Sequence, residues 1–271
     1  MKIAFIGCGN MATFMIRGIV NNSEISAKDI LATDPNNDSL LALKEELGIS
    51  TSPSNLDAVD FADYIFVCVE PKHSEQVAKQ ISSHLNENKV IISIAAGVSV
   101  ETLNKYYEQK ANIIRVMPNI AISVGEGMCM LCKNDKIEES VFNDIKEIFS
   151  NFGEVEIMDE KYINAFIAVA SSSPAMIFVM IEAMADAAVS MGIPREMSNK
   201  LASQAVFGSS AMVKRTKTAP SILKDKVCSP AGTTIDMIHS LEKDGFRSAI
   251  IEALKVCNEK GIAMSSKNMG K

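Results

Sequence analysis

Near its carboxyl end the chain carries Ser229-Pro230-Ala231-Gly232-Thr233-Thr234, with Gly245-Phe246-Arg247 shortly after. Ser-Pro-Ala-Gly-Thr-Thr is a tight turn whose backbone N–H groups come free just where a helix should begin. Unpaired amides and the positive end of a helix dipole then point the same way, an arrangement that holds a small anion such as a carboxylate. The hydroxyls of Thr233 and Thr234 are placed to orient a neighbouring polar atom, and Ser229 opens the turn. The plainer alternative is an ordinary helix start with a proline beside it.

A second constellation lies at the other end. Gly7-Cys8-Gly9-Asn10-Met11-Ala12 reads G-x-G-x-x-A between the apolar run Lys2–Ile6 and a helical pattern from about Met11 to Asn22. Gly7 makes the turn, Gly9 lets the backbone approach a diphosphate, and Ala12 lets helix and strand pack closely. A plain strand–turn–helix junction has the same elements, but the position after a strand and before a helix favours a dinucleotide. Asp34 ends the next strand about 25 residues after Gly9, close to the ~20 expected of a ribose-binding carboxylate. A carboxylate there repels a 2′-phosphate, and Asp34-Pro35-Asn36-Asn37 carries no Arg or Lys, which favours NADH. The same residues also suit a simple turn. Glu70-Pro71-Lys72, Ala95-Ala96-Gly97 and Met117-Pro118-Asn119 each follow a strand and emerge at the carboxyl edge, where open parallel sheets bind ligands. Small Ala95, Ala96 and Gly97 leave room for a flat ring, and Asn119 is placed to bond a nicotinamide amide.

The elements that must position these residues fall into two grammars. Ile30–Thr33, Tyr64–Val69, Val90–Ile94 and Ile113–Val116 are β-branched strands alternating with helical patterns at Leu40–Leu47 and Ser74–Leu85, which implies a parallel sheet covered on both faces. After Gly153–Ile157 the strands stop and helix follows helix. An α/β Rossmann-type domain over residues 1–158 and an all-α domain over 159–271 is the expected architecture. Phe166, Ile177, Ile181, Met184, Ala188 and Met191 share one register, with core as the default reading of the Met-rich faces.

With 271 residues, 47% of them apolar, the chain has enough to bury a large core, and a net charge of −6 argues against nucleic acid or a membrane surface as partner. The start lacks a basic leader, and Ser171-Ser172-Ser173-Pro174 interrupts the apolar region Ala165–Ile181, so a soluble cytoplasmic protein is expected. Cys129 and Cys132 form C-x-x-C, but in a strand-like run where residues three apart face opposite ways, and no metal site is expected.

With the Gly-rich turn, Arg115-Val116-Met117-Pro118-Asn119 and Ser229–Thr234, the chain resembles the pyrroline-5-carboxylate reductase family over essentially its whole length. The resemblance implies reduction of 1-pyrroline-5-carboxylate to L-proline with NADPH or NADH, in a homodimer built through the helical domain that can assemble into larger rings. It places Gly7, Gly9, Asn10, Met11 and Ala12 under the diphosphate and Asn55 near the adenosine ribose. Val69, Pro71, Ala95, Ala96, Gly97, Met117, Pro118 and Asn119 would line the nicotinamide side. The amides of Gly232, Thr233 and Thr234 would hold the substrate carboxylate, and the Thr234 hydroxyl would reach the ring nitrogen.

This chain departs from the family pattern at several points. Ala231 stands where the family has Gly, which is tolerable at negative φ. Met237 replaces a small residue, Glu70 a lysine, and Ser171 and Ser173 two glycines; Ile120 and Ala121 end the Met-Pro-Asn segment differently. Two alternatives stand beside the reductase: another imine or a 3-hydroxy acid as substrate, the hydroxy acid wanting a catalytic lysine early in the helical domain, where Lys161 stands without a partner motif, and a weakly catalytic dinucleotide-binding paralogue.

Overall fold

In the computed structural model, which describes residues 1–132 and 137–269, the amino-terminal part alternates strand and helix: β1 Ile3–Ile6, α1 Asn10–Asn22, β2 Ile30–Thr33, α2 Asn37–Leu47, β3 Ser50–Ser52, α3 Asn55–Phe61, β4 Tyr64–Val67, α4 Ser74–Ile81, β5 Val90–Ser93, α5 Val100–Tyr106 and β6 Asn112–Met117. β7 Gly127–Cys132, α6 Glu139–Ser150 and β8 Gly153–Ile157 close the sheet. The helices α7 Ile163–Phe166, α8 Ser173–Ser190, α9 Arg195–Thr216, α10 Pro220–Val227, α11 Thr233–Lys243 and α12 Phe246–Met269 follow.

The sheet order is β3-β2-β1-β4-β5-β6-β7-β8. Successive neighbours are parallel except β6 and β7, whose antiparallel pairing sets Arg115 opposite Cys132. Strand order reverses between β1 and β4, so the loops leaving these two strands diverge and open a crevice, where such sheets bind ligands. Side chains alternate between two cores: Phe5, Phe66 and Ile92 pack on α1 and α6, whereas Ala4, Ile6, Ile65 and Ile91 pack on α3, α4 and α5. Phe5 and Phe66 stack at 4.7 Å between ring centres. β3 and α3 have no counterpart in the expected element list, because Ser50-Thr51-Ser52 is short and polar, as edge strands often are.

Cys129 and Cys132 lie on β7 in different apolar clusters. Burial pushes both thiols up to about 12. They therefore stay protonated at neutral pH, the wrong state for metal ligation or disulfide exchange. Among the described residues no group of three or more His, Cys, Asp or Glu side chains is arranged to hold a metal ion.

The chain forms two compact units, Met1–Ser171 with Cys257–Lys271, and Ser172–Val256. The strands end at Ile157, beside the expected boundary at 158, but Glu160–Ser171 stays with the sheet because its side chains and carbonyls bond to it. The interruption expected at Ser171–Pro174 is reduced to a bend at Ser172. Pro174 falls in the first turn of α8, where its missing N–H costs little, and a π turn at Ile167–Ser171 carries the helical path through. The stretch Glu160–Ser190 is thus long and apolar enough to cross a membrane by length and composition only, and just 17% of its most apolar window is buried within the single chain.

Within the second unit α8 and α9 pack through small residues: Ala185, Ser198 and Ala202 are the buried ones. Small residues at that seam let the helices approach closely and leave the large side chains outside. The core expected along the Met-rich register is therefore not formed by the single chain. Met191 is 74% exposed, Met184 39%, and Phe178, Val179, Leu201 and Phe207 are exposed as well. A helix apolar on every side needs burial on every side, and the single chain does not provide it.

Candidate active site

The crevice between β1 and β4 is a cavity of about 890 Å³. It brings together five of the expected cofactor residues: Gly7 and Gly9 from the first loop, Asp34 after β2, Asn55 at the start of α3 and Val69 after β4. Gly7 has φ +93°, and a Cβ there would sit 2.8 Å from the Cys68 carbonyl oxygen. Gly9 has nothing within 4 Å of such a Cβ, so the loop is open to a ligand at that point. Gly9 is also the N-cap of α1, with no side-chain cap and no acidic residue in the first turn. A 13-residue helix therefore presents its N–H groups and positive dipole end to the crevice. These features fit a dinucleotide diphosphate. Asn10 and Met11 continue that first turn, and buried Ala12 packs the helix on the sheet.

Asp34 does more than face the cavity. Its Oδ2 accepts the Cys8 N–H at 2.7 Å and its Oδ1 the Asn36 N–H at 2.8 Å, which fixes the glycine loop against the end of β2. Burial first, and the Asp34 charge second, push the Cys8 thiol up to about 12, so it is a packing residue. Asn55 sits at the cavity floor, accepting from Thr33 Oγ1 at 2.9 Å and donating to Gln80 Oε1 at 2.9 Å. Glu70 lines the same cavity and pairs with exposed Lys72 at 2.6 Å. None of the described residues lining the cavity is Arg or Lys. His73, Gln76 and Gln80 line it too and escaped sequence reasoning. Their signal was that α4 follows β4, so its first turns must border the carboxyl edge.

Pro71, Ala95, Ala96, Gly97, Met117, Pro118 and Asn119 do not line this cavity. They occupy the loops at the carboxyl ends of β4, β5 and β6, further along the same edge. The Asn119 side chain, expected to meet the nicotinamide amide, is turned inward. Its Nδ2 donates to the Ala170 carbonyl at 2.9 Å, and its Oδ1 accepts from the N–H groups of Ala121 and Met128 at 3.2 Å. The amide oxygen and one Nδ2 hydrogen are thereby engaged within the chain. Ala170 is available because residue 174, whose N–H would ordinarily bond its carbonyl, is proline.

In the second unit, the Ser229–Gly232 turn closes with Gly232 N–H donating to Ser229 O at 3.1 Å, and α11 begins at Thr233. Gly232 is the N-cap and no side chain caps the helix, so the amides after it are open to a ligand. Asp236 supplies a negative charge within that first turn. The condition placed on Ala231 fails: its φ is +55°, in the left-handed region. That conformation costs an L-residue roughly 1–2 kcal/mol relative to glycine, and the Ser229–Gly232 hydrogen bond holds it. Lys161, the candidate lysine of the hydroxy-acid alternative, is 64% exposed and pairs with Asp159 at 2.7 Å.

Residues 160–264 match the family model for pyrroline-5-carboxylate reductase dimerisation, and residues 2–97 match one described as NADP oxidoreductase, coenzyme F420-dependent. The pyrroline-5-carboxylate reductase of Escherichia coli strain K12 is 41% identical over 264 residues, covering 97% of this chain and 98% of that protein. A solved pyrroline-5-carboxylate reductase from Coxiella burnetii superposes with a TM-score of 0.91 at 30% identity, covering 97% of this chain and 98% of that one. A Plasmodium falciparum pyrroline carboxylate reductase solved with NADP bound gives 0.89 at 29% identity, covering 98% of each chain. With a relative of that identity spanning nearly the full length, the chain belongs to the pyrroline-5-carboxylate reductase family.

Proposed function

We propose that the chain reduces 1-pyrroline-5-carboxylate to L-proline, using NAD(P)H. Beyond family membership, one observation carries this reading: the same chain holds an open glycine cradle at the start of α1 and an uncapped helix start after the Ser229-Pro230 turn. The first suits a dinucleotide and the second a small carboxylate.

What the reduced dinucleotide supplies when bound is a hydride. Gly7, Gly9 and the first turn of α1 hold its diphosphate, Asp34 and Asn55 border the adenosine ribose, and the small loop Ala95–Gly97 with Met117–Asn119 flanks the nicotinamide side. The amides of Thr233 and Thr234 hold the substrate carboxylate; the Gly232 N–H, expected to join them, is engaged by Ser229 O in the turn. A cyclic imine is basic enough to be partly protonated near neutral pH, so it accepts hydride without a dedicated acid. The protein's task is then placement, which supplies on the order of 7–11 kcal/mol of the barrier reduction. The Thr234 hydroxyl is too weak an acid to protonate at pH 7 and instead accepts the hydrogen bond of the ring N–H.

Thr234→Ala tests that assignment. Losing one well-placed hydrogen bond costs about 0.5–1.5 kcal/mol, so kcat/KM should fall roughly two- to twelvefold while dinucleotide affinity, measured by titration, is retained. Wild-type kcat/KM in the variant would remove Thr234 from the ring nitrogen.

The family match to a dimerisation domain makes this an oligomer-forming chain. The proposed assembly is a homodimer in which a second copy covers the exposed apolar faces of α8 and α9, with larger rings built from dimers. Burial of Glu160–Ser190 against that copy, in a cytoplasmic protein, is the proposed reason for its apolar length.

A further inference from the structure

Glu160 lies just past the last strand, outside every motif that pointed to function, yet one of its oxygens joins two loops. Its Oε1 accepts from Arg115 Nη1 at 2.7 Å and from the Val100 N–H at 2.8 Å. Arg115 sits on β6 with its side chain 3% exposed, and among the described residues its Nε and Nη2 have no hydrogen-bond partner. A guanidinium this buried, with one carboxylate beside it, is held where that carboxylate is. Two residues on, β6 delivers Met117, and then Pro118 and Asn119. Val100 begins α5 directly after the Ala95–Gly97 loop and the Ser99 cap, which accepts the Thr102 N–H at 3.1 Å.

The other end of the same short segment grips the second loop. Asn119 Nδ2 reaches Ala170 O at 2.9 Å, and Ser171 Oγ donates to Pro118 O at 3.3 Å. Glu160–Ser171 therefore touches both loops of the carboxyl edge, each through polar contacts in defined directions.

We propose that Glu160, anchored by Arg115, is a positioning residue that sets the spacing between the Ala95–Gly97 and Met117–Asn119 loops. This rests on the reading of those loops as the nicotinamide side. Glu160 touches neither substrate nor dinucleotide in this account; it acts through Val100 and Arg115. A loop free to drift misplaces the ring, and misplacement of about 1 Å is enough to cost on the order of a hundredfold in rate. The adenosine half of the site rests on Gly7, Asp34 and Asn55, none of which bonds to this clamp, so it is insulated from the change.

The test compares Glu160→Gln and Glu160→Ala with wild type in three readouts: thermal unfolding, affinity for ADP-ribose and for NADH, and steady-state kinetics. ADP-ribose lacks the nicotinamide and reports on the adenosine half alone. Both variants should bind ADP-ribose within about twofold of wild type, bind NADH more weakly, and lose about 10- to 100-fold in kcat, the alanine variant more. KM for the imine should hold. Equal loss of affinity for ADP-ribose and NADH would make Glu160 a general stability residue and overturn the proposal, as would an unchanged kcat. If Glu160→Ala does not fold, Glu160→Gln, which keeps an acceptor for Val100 and removes only the charge, decides it. The binding comparison needs no imine. Absence of wild-type turnover would therefore strike the functional reading alone, while the ratio of the two affinities still judges the clamp.

Discussion

Gly7→Ala should abolish dinucleotide binding and lower stability by about 3 kcal/mol. The φ of +93° costs an L-residue roughly 1–2 kcal/mol. The new Cβ would also lie 2.8 Å from Cys68 O and 3.0 Å from Val69 Cγ1. One of those contacts is backbone in the turn after β4, so relief requires moving the glycine loop or the strand end. Overpacking of that kind adds about 1–3 kcal/mol. Movement of the loop displaces Cys8, whose N–H bonds Asp34, and with it the cradle over the crevice. Urea unfolding and a dinucleotide titration check both parts. Wild-type stability together with wild-type affinity would show that the turn tolerates a side chain, and that it is not the tight cradle described.

Phe178→Asp should dissociate the assembly. Phe178 and neighbouring Val179 are 60% and 64% exposed on α8 in the single chain, too much apolar surface for a helix to leave in water. Covering a phenylalanine is worth about 1.5–3 kcal/mol, and an isologous interface would count the loss twice. An uncompensated buried carboxylate adds several kcal/mol more. The dissociation constant should therefore rise by on the order of ten-thousandfold or more, each 1.4 kcal/mol being tenfold. Sedimentation over a dilution series would show a smaller species for the variant at concentrations where the wild type is assembled. An unchanged size would mean that the second copy docks elsewhere.

Much of the fold was legible because its signals are local. β-branched runs such as Tyr64–Val67 and Val90–Ser93 are short, apolar and bounded by turns, and the glycine spacing of Gly7 and Gly9 is set by one tight loop. Ser50–Ser52 was not legible, since an edge strand of three small hydroxyl residues carries no apolar period. The Met-rich register of α8 was legible as apolar but not as to what buries it. Periodicity reports that a face avoids water, and the choice between core and partner depends on α8 and α9 burying only small residues, Ala185 on one and Ser198 and Ala202 on the other.

The site divides in the same way. Gly232–Thr234 reads from the sequence because a helix start is a local event. His73, Gln76 and Gln80 reach the cavity only through the placement of α4 along the sheet edge. The inward turn of Asn119 depends on a carbonyl 51 residues away, left open by the proline at 174. The left-handed Ala231 is a backbone property that residue identity argued against. Long-range placement decided the first two, and the local Ser229–Gly232 hydrogen bond the third.

The measurement that bears most directly on the account is the initial rate of NADH and NADPH oxidation with DL-1-pyrroline-5-carboxylate, at equal dinucleotide concentrations, with proline quantified. Turnover is expected with proline formed in step with dinucleotide oxidised, and at a faster rate with NADH, because Asp34 and Glu70 border a cavity lined by no lysine or arginine among the described residues. A protein that binds either dinucleotide and yet produces no proline with both would contradict it.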